Sequence, residues 1–343
     1  MSPRPTLTRR RFGTLLTGSL VAAGVTACGR DSSSTAAAPS TATTSGTFPV
    51  SVPHIWGETT VESEPQRVVV LGVTDADAVL ALGVTPVAIQ PFFADYTSGV
   101  GPWAQDLLAG RDIQVLATGS EENVELVAAL RPDLVIAVSS GFDRAVYDQL
   151  AQVAPTLVRP EGTRAYAVSR EDATRSIATV LGRADAADAL LATANRAFTD
   201  AAAANPRFAG ATGTVVLPYS GMYGAYLPGD ARGQVMDQLG FVLPAAVSAL
   251  DDGSSFFVAL STERLDVLEG GVAVVLVDDA SRAAVDSDQV LQNLALTGDG
   301  GLVVVDGALR GAMSYNTVLS APYAVEQLSP LLATALGSTG SGS

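Results

Sequence analysis

The sequence predicts an α/β fold of two lobes, each built on a mainly parallel sheet, bridged by one long helix. Three observations predict it. Short β-branched runs alternate with amphipathic helical runs in both halves of the chain, as βαβ units require. Between the halves, Arg183 to Ala204 is alanine-rich and contains neither glycine nor proline, so it should form one helix spanning roughly 30 Å. The third observation is a matched register: Glu125 precedes Leu130 by five residues and Leu134 by nine, and Glu263 precedes Leu268 and Val272 by the same steps.

The first 27 residues read as an export address. Thr8-Arg9-Arg10-Arg11-Phe12 has the form of a twin-arginine signal, and a short apolar run from Leu15 leads to Val25-Thr26-Ala27-Cys28, which resembles a bacterial lipobox. Cleavage before Cys28 and acylation of its sulfur would hold the mature chain at the outer face of the cytoplasmic membrane. The apolar run is too short to span a bilayer. Residues 28–47 are low-complexity Ser, Thr and Ala, expected as a flexible tether. Residues 337–343 are expected to be a disordered tail.

Charge and cysteine usage exclude several function classes. The chain carries 20 basic residues, all of them arginine, against 35 acids. Without residues 1–27 it keeps sixteen arginines, a charge of about −19, so nucleic acid is an unfavourable partner. A single cysteine, Cys28, allows no internal disulfide and no thiolate metal site.

The first lobe is placed at residues 48–160. Arg67 to Leu71 and Pro86 to Ile89 are strands flanking a helix from Ala76, with Thr74 and Asp75 as its candidate caps. Asn123 to Leu130 is a helix feeding the buried strand Leu134 to Val138. Ligands of such sheets sit beyond the carboxyl ends of the strands. The loop after Ile89 carries Phe92, Phe93, Tyr96 and Trp103, either presented to a ligand or covering the lobe's own core. After Val138 a small-residue turn is followed by Arg144.

Residues 161–209 are the linker with the bridging helix, whose stripe is Leu190, Leu191, Ala194 and Phe198. The second lobe is placed at residues 210–336. Thr214 to Leu217 is its first strand, and Pro218 to Asp230 is expected as a loop presenting Tyr219, Tyr223 and Tyr226, with Arg232 behind. Tyrosine offers a flat face and a hydroxyl at small entropy cost. Val272 to Val277 and Leu302 to Val305 are further buried strands, and Arg310 and Tyr315 follow the last.

RVVVLGVTDADAVLALGVTPVAI, NVELVAALRPDLVIA, YDQLAQVAPTLV, DQLGFVLP, LSTERLDVLEGGVAVV and LSAPYAVEQLSPLL, in this order around the long helix, resemble the substrate-binding lipoproteins of bacterial ABC importers for ferric siderophores, haem and cobalamin. The resemblance implies two Rossmann-like lobes, a ligand held in the cleft with little hinge bending, and delivery to a permease with its ATPase. It also implies that one acid per lobe docks on permease arginines; the matching positions are Glu125 and Glu263. The only histidine, His54, lies in the lead-in, where packing suits it better than ligation, so a ferric siderophore fits better than haem. Iron would arrive inside its chelate, with no cofactor and no protein metal ligand. Cobalamin or haem remains the alternative cargo, and a surface sensor or structural lipoprotein of the same fold the alternative class. An enzyme is disfavoured, because Gly-x-Ser-x-Gly and a plausible histidine base are both missing.

Overall fold

The computed structural model describes residues 46–117 and 123–339, so the signal, Cys28 and most of the tether lie outside the described residues. The chain enters through an antiparallel hairpin, β1 (Val50–His54) and β2 (Gly57–Val61), which sequence reading had not separated from the first lobe. The first sheet then takes β3 (Val68–Val70), β4 (Ala88–Ile89), β5 (Gln114–Val115), β6 (Leu134–Ala137) and β7 (Thr156–Val158) in the order β5-β4-β3-β6-β7, all parallel. Its strands are apolar on both faces because both are covered: Val68, Val70, Leu134 and Ile136 enter one core, and Val69, Val135 and Ala137 the other.

The second sheet holds β8 (Thr212–Tyr219), β9 (Met222–Tyr226), β10 (Phe257–Leu260), β11 (Gly271–Leu276) and β12 (Leu302–Val305) in the order β10-β9-β8-β11-β12. β8, β11 and β12 are parallel, whereas β9 runs antiparallel to both its neighbours. The expected loop Pro218 to Asp230 is therefore largely a hairpin. Its turn is Ser220-Gly221, both at positive φ, the backbone that two-residue hairpins need.

The helix Ala184–Ala204 buries Ala187, Leu191, Ala194 and Phe198. Ala187 packs into the first lobe's core and Phe198 into the second's, so one rigid element is shared by both. Ahead of it, the helix Arg170–Val180 is capped by Ser169, whose side chain accepts from the Asp172 N–H. The C-terminal helix Ser320–Thr339 packs along the bridging helix. Among the described residues, no helix is long and apolar enough to cross a membrane.

Candidate functional site

The carboxyl ends of the two sheets face a seam of aromatic rings. The loop after β4 brings Phe92, Phe93, Tyr96 and Trp103 onto Tyr315, at the end of the helix Gly307–Tyr315 that follows β12. The Phe92 N–H donates to the Tyr315 hydroxyl at 3.0 Å, and the Trp103 and Tyr315 ring centroids are 5.2 Å apart. Trp103 also touches Tyr323 of the C-terminal helix. Burial pushes the Tyr315 phenol well above its ordinary range and Tyr96 up to about 12. Gly311 admits the loop: a Cβ there would collide with the Tyr96 hydroxyl. Phe92, Tyr96, Trp103 and Tyr315 thus lie largely against one another across the two lobes. Each such ring pair is worth about 0.5–1.5 kcal/mol beyond its area.

Two carboxylates that sequence reading left out of the site are built into it. Asp77 accepts from Trp103 Nε1 at 2.7 Å and from the Thr317 hydroxyl, so it ties the first lobe to the second. Asp75 does not cap its helix with its side chain. It turns instead to the backbone N–H groups of Val138 and Ser139 beyond β6. Burial pushes both carboxyls up to about 6, against the opposing pull of those hydrogen bonds. The signal was present: two acids inside Val-Thr-Asp-Ala-Asp-Ala-Val-Leu, at the end of a buried strand, occupy positions that solvent-facing acids would not.

The cleft's second wall carries the cations. Arg232 lies 3.9 Å over the Tyr226 ring and pairs with Asp230 through two hydrogen bonds of 2.7 and 2.9 Å. Arg310 lies 4.8 Å over Phe93 and reaches Asp278 at 3.5 Å. Tyr219 and Tyr226 both meet Phe257 edge-on. Deeper, a cavity of about 50 Å³ between the lobes is lined by Thr74, Ser139, Tyr166, Arg170, Tyr315 and Asn316 among others. Arg170 is buried there and donates at 2.8 Å to the amide oxygens of Asn316, Asn195 and Gln238. An arginine in a helix's first turn opposes the macrodipole, which was the sequence signal that something else holds it. Tyr166 lies against Gly141, where any side chain would strike its ring.

Two expected site residues lie apart from the other aromatic and cationic candidates. Tyr223 lies on the opposite face of β9 from Tyr226, because strand side chains alternate; its hydroxyl donates to Asp288 at 2.8 Å and its ring joins the outer core. Arg144 is exposed at the start of its helix, paired with Asp148 at 2.7 Å and 5.8 Å over Tyr147. Tyr147 in turn meets buried His54, whose Nδ1 accepts from the Trp56 N–H. Among the described residues, no group of three or more His, Cys, Asp or Glu side chains is placed to hold a metal ion.

Glu125 is exposed in the first turn of the helix Val124–Ala129 that feeds β6. Glu263 is exposed in the 3-10 segment Thr262–Leu268 that feeds β11. A helix feeding a strand in a parallel sheet runs antiparallel to it, so each glutamate lies toward its sheet's carboxyl end.

Known proteins share this architecture. A periplasmic solute binding protein from Mycobacterium smegmatis str. MC2 155 is 30% identical, with a TM-score of 0.76 over 84% of this chain and 99% of that one. PiaA from Streptococcus pneumoniae TIGR4, solved with ferrichrome, is 22% identical with a TM-score of 0.70 and shares the fold. The Fe(3+)-citrate-binding protein YfmC of Bacillus subtilis (strain 168) is 30% identical over 54% of this chain and 56% of its own length. The Fe(3+) dicitrate-binding periplasmic protein FecB of Escherichia coli (strain K12) is 33% identical over 37% and 40%. The chain thus spans about half the length of these curated relatives. Residues 68–298, from β3 to the last crossover before β12, match the periplasmic binding protein family, and with the two sheets, the shared helix and the cleft between them the chain belongs to that family.

Proposed function

We propose that the chain captures a ferric siderophore in the cleft between its lobes and delivers it to an ABC importer permease, anchored to the membrane through lipid on Cys28. The observation that carries the reading is the cleft itself: Phe93 and Tyr219, beyond or at the carboxyl ends of β4 and β8, offer aromatic surface beside Arg232 and Arg310. Such faces suit a large organic chelate. The named cargoes of YfmC and FecB, both ferric chelates, support the same class. Iron enters already coordinated, so the protein contributes shape and hydrogen bonds and no metal ligand. Glu125 and Glu263 are the proposed permease contacts, one per lobe, which would fix the orientation of docking as well as its strength.

Trp103 reports occupancy, because it belongs to the seam behind the cleft. Titrating the full-length chain in mild detergent with ferric siderophores should change its fluorescence saturably, and iron-free siderophores should bind at least tenfold more weakly. Saturable binding of haem or cobalamin with no response to ferric chelates would overturn the reading.

A further inference from the structure

The cations beside the cleft aromatics are already spoken for. Arg232 is held by both oxygens of Asp230, whose side chain is only 8% exposed. Drawing Arg232 away to a ligand would strand a nearly buried carboxylate, a strongly unfavourable state. Arg310 reaches Asp278, which is fixed in place by a capping box with Ser281. Deeper still, Arg170 is saturated on three of its N–H positions by neutral amide oxygens, with Glu171 at 3.7 Å. Arg164, 4.5 Å over Phe256, is exposed and screened by solvent. What the cleft wall presents is therefore aromatic surface beside two arginines that each already face an acid, on a body of strongly negative charge.

Resting on the ferric-siderophore reading above, we infer that the ligand is an iron chelate without net negative charge, a ferric trihydroxamate. Three singly charged hydroxamates cancel the charge of ferric iron, whereas three doubly charged catecholates leave three negative charges and citrate complexes are also anionic. A polyanion entering this cleft meets Asp230 and Asp278 inside the same pairs that hold Arg232 and Arg310, so it must compete with an acid for each of those two cations as its own charge is desolvated. A neutral chelate meets no such opposition. Its iron-bound oxygens still accept hydrogen bonds from the outer N–H groups of Arg232 and Arg310, and its aliphatic links lie on Phe93 and Tyr219, both only partly buried.

The test is a competition on the full-length chain in mild detergent among a ferric trihydroxamate, a ferric tricatecholate and ferric citrate, read by intrinsic fluorescence. The trihydroxamate should bind at least tenfold tighter than either anion, with less than a twofold change in affinity between low and high salt. Asp278→Asn keeps a good helix cap and releases Arg310 from its acid. It should narrow the preference against the tricatecholate at least threefold. Equal or tighter binding of either anionic chelate by the parent overturns the inference while leaving the siderophore reading in place. Silence toward all three overturns both, and an unchanged preference in Asp278→Asn overturns the ion-pair account.

Discussion

Asp77 joins the lobes with a carboxylate that has no solvent to lean on. One of its oxygens takes both the Trp103 and Thr317 hydrogen bonds, and the other has no partner among the described residues. Burial raises its folded pKa to about 6, above the ordinary carboxylate value. The protonated form is thus the one that folding favours. Its contribution to stability is complete below the ordinary carboxylate range and is lost as pH rises through about 6. A displacement of that size is worth roughly 3 kcal/mol. Asp77→Asn keeps an oxygen for Trp103 and cannot ionise. Relative to the parent, its melting temperature should climb between about pH 4 and 6 and then level off. Thermal melts across that range decide it; a constant difference would mean that Asp77 does not titrate there.

At the scale of elements, the bridging helix depends on a few side chains spaced along one stripe. Phe198 is 2% exposed, lies in the second lobe's core and sits beneath the Arg170 guanidinium, 5.2 Å from its ring centre. Phe198→Ala should cost about 3–5 kcal/mol in denaturant unfolding, while Leu190→Ala, half-buried on the same helix, should cost less. This helix and the strands β3, β4, β6, β8, β11 and β12 were legible because each follows one simple pattern: a 3.6-residue period for the helix, continuous apolar runs for the strands. β9 was not, since Met-Tyr-Gly-Ala-Tyr reads as an aromatic loop until Ser220-Gly221 is recognised as a hairpin turn. That single misreading put Tyr223 in the cleft, because alternation along an unrecognised strand cannot be counted. Tyr219 and Arg310 were placed by sequence from their position at or after the ends of the parallel strands β8 and β12. The partner of Arg310 was not legible, since Asp278 stands 32 residues before it and only the fold brings them together.

For the whole molecule, the proposed function assigns capture and delivery to different residues. Glu125 and Glu263 are exposed, and among the described residues neither makes an ion pair. The double variant Glu125→Ala with Glu263→Ala should keep ligand affinity within twofold and melting temperature within about 2 °C, since surface changes typically move stability by less than 0.5 kcal/mol. It should nevertheless fail to support iron uptake in cells, because two basic groups on the permease would lose their partners. Normal uptake by that variant would reduce the two glutamates to helix-start acids. The entry of the chain bears on delivery in another way. The Gly46 N–H donates to the Gly182 carbonyl at 2.8 Å, beside the start of the bridging helix, and Arg183 there pairs with Glu64 of the lead-in. On the proposed lipid anchor, any tension along the leash would enter at the foot of the helix that both lobes share. Thermal drag on the tethered particle would then pull on both lobes together through one rigid element, and not on one wall of the cleft against the other.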